Sequence, residues 1–132
     1  MKVVPDPDGR NADFYRHAAT GRLHLQRCRS CHHYYHPPRY LCRACGKSEL
    51  DFVPSQGRGR IFSWTVTHRP VDPGWAEEIP YVTLIVAMDE GVRLVGAFHG
   101  DAAALELERP VTAGVEVVSE NFARIVFELE GG

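Results

Sequence analysis

The 132-residue chain has no apolar run approaching the ~20 residues of a membrane-spanning helix. Its first residues, MKVVPDPDGRNADFY, lack the apolar core of a secretory signal, so a cytoplasmic protein without membrane association is the expectation. A glycine-rich nucleotide fingerprint is missing as well. The one spaced pair, Gly57 and Gly59, opens no helical pattern. Cysteine is absent outside residues 28–45, which excludes a disulfide framework spread along the chain. Charge excess is also small, with 15 Lys and Arg against 17 Asp and Glu.

That near-neutral total hides a division. Residues 1–54 carry nine Lys or Arg against five Asp or Glu, whereas residues 55–132 carry six against twelve. Nucleic-acid binding draws most of its affinity from neutralised phosphates. An acidic second half therefore argues against nucleic acid as the partner.

The cysteines that are present form two C-x-x-C pairs, Cys28 and Cys31, then Cys42 and Cys45, separated by ten residues. Each pair can turn back so that both sulfurs face one way, and two such knuckles offer the tetrahedral thiolate set that zinc prefers. In a reducing cytosol metal is favoured over disulfides. Zinc is the expected cofactor and iron the lesser alternative, since nothing nearby asks for redox chemistry. Four thiolates leave no open coordination position, so the ion is expected to be structural. A segment of ~30 residues cannot bury enough apolar surface to stand alone, and metal binding is expected to supply much of its folding free energy.

His32, His33 and His36, within CHHYYHPPR, are expected to be solvated or packing residues, because the ligand set is complete without them. Tyr34, Tyr35 and Tyr40 are expected to cover the knuckles, and Pro37 and Pro38 to stiffen an extended crossover between them.

Elsewhere, Asn11 as N-cap and Gly21 as C′ residue frame a helix over residues 12–20, with Phe14, His17 and Ala18 on one face. His17 and His24 are read as surface or packing residues. Leu23 and Leu25 alternate with polar residues in a strand entering the first knuckle. A boundary is expected at residues 50–57. Beyond it, Phe62, Trp64 and Val66 alternate with Ser63, Thr65 and Thr67, and strand-like runs follow over 81–88, 92–98, 115–119 and 124–130. Asp89, Glu90 and Gly91 supply a hairpin. A helical turn is expected between the third and fourth strands.

Five strands in about 75 residues suit a small closed barrel of the OB type, with an SH3-like barrel as the alternative. Three segments follow: 1–21 arm and helix, 22–54 ribbon, 55–132 barrel. The long loop at 68–80 holds Trp75, a candidate anchor on a partner, and Glu77 and Glu78, whose adjacency makes a poor acid–base pair. His68 and His99 could act as bases, but no nucleophile motif accompanies them, and no catalytic residue is assigned.

The order of GRLHLQRCRSCHHYYHPPRYLCRACG, GRGRIFSWTVTHRP and PYVTLIVAMDEGVRL resembles the domain of unknown function family number 35 over residues 14–128. The resemblance implies a mainly β chain with an N-terminal short helix and a rubredoxin-like zinc ribbon followed by a five-stranded OB-fold barrel. It places zinc on Cys28, Cys31, Cys42 and Cys45. It also implies a non-catalytic accessory subunit in a hetero-oligomer with a thiolase-fold or lipid-transfer-protein-like aldolase. That enzyme would act on acyl-CoA thioesters in steroid side-chain breakdown, with the acyl-CoA held mainly by the partner. On this reading the ribbon and N-terminal helix form a net-positive docking surface, and Arg22, Arg27, Arg29, Arg39 and Arg43 could also meet the coenzyme's phosphates, solvated surface arginines being the commoner outcome. One departure is the stretch CHHYYHPP, where many relatives have a glycine and fewer histidines after the second cysteine. The alternative is a single-strand nucleic-acid-binding module, which would need basic residues interleaved with aromatics on its strand face.

Overall fold

The computed structural model describes residues 9–68 and 81–130. Helix α1, Gly9–Ala18, leads into strand β1, His24–Cys28. Strand β1 forms the middle of a three-stranded antiparallel sheet, flanked by β2, Tyr34–Tyr35, and β3, Leu50–Pro54. Five further strands follow: β4 Arg58–Thr67, β5 Tyr81–Met88, β6 Arg93–Phe98, β7 Pro110–Ser119 and β8 Phe122–Leu129. They close into a barrel in the order β4-β5-β6-β8-β7. Strands β6 and β8 pair in parallel, the one such pairing among the described residues, joining Ala97 to Val126 and Phe98 to Phe127. Both the ribbon and the OB-type barrel expected from the sequence are therefore present.

Closure at β6–β8 depends on Gly96. A β-carbon there would lie 2.6 Å from the Ile125 carbonyl oxygen and 2.7 Å from the Phe127 ring, so only glycine lets the two strands approach. The Asp89–Gly91 hairpin forms as expected, with the Met88 amide donating to Val92 O at 2.8 Å. A 3-10 turn, Ala102–Ala104, lies between β6 and β7, with the Asp101 carboxylate accepting from the Ala103 amide.

Four expectations are corrected. In β4 the buried residue is Ile61, and Phe62 is 44% exposed. The register against β5 slips between Ile61 and Ser63, and this β-bulge turns Phe62 outward, where Arg93 lies 3.9 Å from its ring centroid. Trp64 and Val66, beyond the bulge, pack on the core as expected. Strand β7 begins at Pro110, five residues before the apolar run, because Pro110–Thr112 pair with Arg58–Arg60 of β4 on one edge while the strand from Val111 onward pairs with β8 on the other. Proline is tolerated at a strand's first residue, where its missing N–H leaves no ladder bond unmade. Helix α1 begins at Gly9 rather than after Asn11, and β3 falls where only a boundary was expected.

One hydrophobic cluster runs through both halves, joining Phe14, Leu23 and Leu25 to Ile61, Leu84, Leu94 and Phe127. Helix α1 bridges them. Phe14 stacks near His36 of the ribbon at 4.7 Å, and Tyr15 meets Phe122 of β8 at 4.7 Å. Burying Phe14 alone is worth roughly 1.5–3 kcal/mol, enough to hold a short helix that would be marginal in isolation. Buried Ser55 adds a polar latch: its amide donates to Leu23 O at 2.9 Å and its hydroxyl to Glu90 Oε2 at 2.7 Å.

Candidate metal centre

The two C-x-x-C segments fold into matching knuckles. The His32 amide donates to Cys28 O at 2.9 Å, and the Gly46 amide to Cys42 O at 2.8 Å. The Cys28 amide donates to His33 O at 2.9 Å, as the Cys42 amide does to Lys47 O at 2.8 Å. In each knuckle the residue after the second cysteine lies in the left-handed region, φ +67° for His32 and +75° for Gly46. Glycine adopts that conformation without a β-carbon clash, whereas His32 adopts it at a cost. The departure from the family pattern thus includes the one residue of the first knuckle that has a positive φ.

The knuckles bring all four sulfurs within 4.8 Å of one another. Cys28 Sγ lies 3.6 Å from Cys45 Sγ, and Cys31 Sγ 3.3 Å from Cys42 Sγ. A tetrahedral ion with Zn–S bonds of about 2.3 Å sets its sulfurs about 3.8 Å apart, so this donor set fits zinc. Cys28 and Cys42 are buried, and Cys45 is exposed.

Without a cation the four thiols divide, with Cys28 and Cys42 favoured as anions and Cys31 and Cys45 held protonated. Cys42 is held down to about 5, first by the hydroxyl of Tyr35 beside it, with the amides of Cys45 and Ala44 acting in the same sense. The backbone amide of Cys31 lowers Cys28. For Cys31 the His33 amide acts to lower the value, but hydrogen bonding with Cys42, burial and the other sulfurs push it up to about 12. Crowded sulfurs cannot all be anionic without a cation among them, and a divalent ion meets that need.

The surrounding aromatic and basic residues take definite places. Tyr35 Oη lies 3.1 Å from Cys42 Sγ and accepts the Arg43 amide at 2.9 Å. His33 Nδ1 lies 3.2 Å from Cys31 Sγ, and His32 is exposed. His36 is a packing residue against Phe14, and burial lowers its pKa to about 4. Arg27 lies over Tyr34 and Arg39 over Tyr35, at 5.8 and 5.9 Å. Arg29 is clamped by both Asp51 oxygens at 2.9 and 3.0 Å. The crossover is held from β1, where buried Gln26 donates to Arg39 O at 2.8 Å and accepts the Arg39 amide at 2.7 Å.

A second feature lies on the barrel. A cleft of about 480 Å³ opens on the β5–β6 face, lined by Tyr15, Tyr81, Phe98, His99, Phe122 and Arg124 among others. His99 Nε2 is 3.8 Å and Arg124 3.1 Å from the Glu116 carboxylate. His68 is exposed at the end of β4. Trp75, Glu77 and Glu78 lie outside the described residues. Of the barrel's described arginines, Arg124 pairs with Glu116 and Arg93 covers Phe62.

Residues 16–51 match the ChsH2 rubredoxin-like zinc ribbon domain, and residues 52–117 the ChsH2 C-terminal OB-fold domain. The chain belongs to the ChsH2 family. Among solved structures it is similar to a chain of the "Ltp2-ChsH2(DUF35) aldolase", with 33% identity, TM-score 0.84 and coverage of 96% of this chain and 98% of that one. It is 38% identical over 102 residues to a probable enoyl-CoA hydratase alpha subunit of Thermomonospora curvata, covering 76% of this chain and 31% of that subunit. It is 37% identical over 79 residues to the 3-oxo-4,17-pregnadiene-20-carboxyl-CoA hydratase alpha subunit of Mycobacterium tuberculosis, covering 59% of this chain and 25% of that one. The chain thus spans a third or less of those two subunits. No helix among the described residues is long and apolar enough to cross a membrane.

Proposed function

We propose that this ChsH2-family chain is a non-catalytic accessory subunit that binds and activates a thiolase-fold enzyme acting on acyl-CoA thioesters, an aldolase of steroid side-chain breakdown. The observation that carries the reading is the near end-to-end likeness, at 33% identity, to a chain of the Ltp2-ChsH2(DUF35) aldolase. The hydratase subunit names of two sequence relatives support acyl-CoA chemistry in the same assembly.

In this reading Cys28, Cys31, Cys42 and Cys45 hold zinc. When bound, the ion supplies a rigid tetrahedral crosslink and no reacting position. The segment up to residue 54 is the docking half, and residues 55–132 are the barrel that orders the partner's substrate channel. Arg29 is already committed to Asp51, so the ribbon offers the partner a fixed shape as well as charge. Ordering of this kind raises a rate by holding reacting groups in place, without donating one.

The test is co-expression with a thiolase-fold candidate, followed by light scattering of the complex and an acyl-CoA cleavage assay with and without this chain. A stoichiometric complex with raised turnover is expected. Absence of a complex together with unchanged turnover removes the reading.

A further inference from the structure

Two imidazoles outside the cysteine cluster take no part in the reading above. His17 lies on the last turn of α1 and His24 begins β1, and the intervening turn brings their ring centroids to 5.3 Å with 53° between the planes. His17 Nδ1 is 2.7 Å from Asp13 O, and His24 Nδ1 is 2.8 Å from Arg22 O. A carbonyl oxygen can only accept. Each Nδ1 therefore carries the hydrogen, and in the neutral ring each Nε2 keeps its lone pair.

Neither Nε2 has a hydrogen-bond partner among the described residues, and neither is a buried orphan. A backbone carbonyl holding one nitrogen while the other stays available is the outer-sphere arrangement of metal-ligating histidines. The His17 ring is further held by stacking on Phe52, 4.7 Å away at 24°. The Asp13 carboxylate pairs with Arg16 on the same helix. The spacing also suits a shared ion: two imidazoles on one ion at about 2.0–2.1 Å, near the tetrahedral angle, set their centroids about 5 Å apart.

We propose that His17 and His24 form a second, solvent-facing metal site for a borderline divalent ion of the zinc and copper(II) class, with water completing its shell. The ion ties the end of α1 to the start of β1. Nothing in this inference depends on the proposed partner or on the cysteine site.

The test uses the tag-free chain already loaded with one equivalent of zinc, titrated with further Zn²⁺ by calorimetry. Imidazole ¹⁵N shifts are followed by NMR in parallel. A second equivalent is expected, with Nε2 shifts confined to His17 and His24. His17→Gln and His24→Gln are each expected to weaken it by about tenfold or more while the first equivalent stays bound. Wild-type chain that takes up no second equivalent, or both variants binding it as tightly as wild type, would overturn the proposal. Nε2 shifts on other histidines instead would do the same.

Discussion

The hydroxyl of Tyr35 donates its hydrogen to the Cys42 sulfur at 3.1 Å. The direction follows from the sulfur, whose pKa is held down to about 5 so that it is an anion able only to accept, while the same hydroxyl oxygen accepts the Arg43 amide at 2.9 Å. Tyr35 thus draws charge from a zinc-ligating thiolate and ties it to the second knuckle's own backbone. Outer-sphere partners of this kind are worth about 10–100-fold in metal affinity. Tyr35→Phe keeps the ring but removes the donor, and we expect it to lower zinc affinity within that range. Competition against a chromophoric chelator measures this, and unchanged affinity would show that the contact carries no weight.

The matched knuckles allow an exchange test. His32 and Gly46 occupy equivalent places with positive φ, and a β-carbon at Gly46 would meet no atom within 4 Å. Only backbone strain separates the two residues at that site. Gly46→Ala should therefore destabilise the zinc-loaded ribbon by about 1 kcal/mol. His32→Gly should stabilise it by up to about 1 kcal/mol, the relieved strain being partly offset by the freedom glycine gains in the unfolded chain. Hydrogen exchange of the knuckle amides reads both.

Much of this was legible in the residues, for identifiable reasons. Two C-x-x-C pairs leave a tetrahedral site few alternatives, and alternation along 81–88 and 92–98 reports strands with one face buried. Phe62 was not legible, because a bulge changes which face a residue occupies without changing the local pattern. Pro110 was not either, since nothing local shows that β7 must serve two partners. Strand β2 is two residues long, and its backbone pairs with Gln26 and Arg27 alone. The approach of His17 to His24 depends on how α1 folds back over β1, a tertiary relation with no local signature.

His36 makes acid stability a readout of the α1–ribbon contact. Burial lowers its pKa from about 6.5 to about 4, and its Nδ1 has no partner. Above pH 6.5 both folded and unfolded chains hold it neutral, and full stability is present. Between 6.5 and 4 the unfolded chain takes a proton that the folded chain refuses, so stability falls as pH falls, by about 2–3 kcal/mol in all. His36→Leu should flatten that part of the pH profile at constant zinc saturation. Parallel profiles for variant and wild type would count against the assignment.

Gln26 makes a further prediction about the crossover. Both of its amide atoms are used on the backbone of Arg39, and the side chain is fully buried. Gln26→Leu keeps the apolar bulk and leaves the Arg39 amide and carbonyl without their partner, which should cost about 1–3 kcal/mol. Denaturant unfolding of the zinc-loaded protein checks the magnitude, and hydrogen exchange at residues 37–40 checks the location.

Metal removal should divide the molecule unevenly. The knuckle cysteines lie outside the shared apolar cluster, whereas Leu23, just before β1, and Leu25 within it are buried there together with Ile61, Leu84 and Phe127. Ser55 also latches β1 to the Glu90 hairpin without any help from the metal. Chelation should therefore release protection over residues 28–49, where zinc supplies the crosslink, while amides of β4, β5 and β8 keep theirs. Residues 23–26 should fall between, since the shared cluster holds Leu23 and Leu25 but β2 and β3 lose their anchor. Exchange measured before and after zinc extraction separates these cases: uniform loss across the barrel would mean the metal supports the whole fold, and no loss at 28–49 would mean it supports none of it.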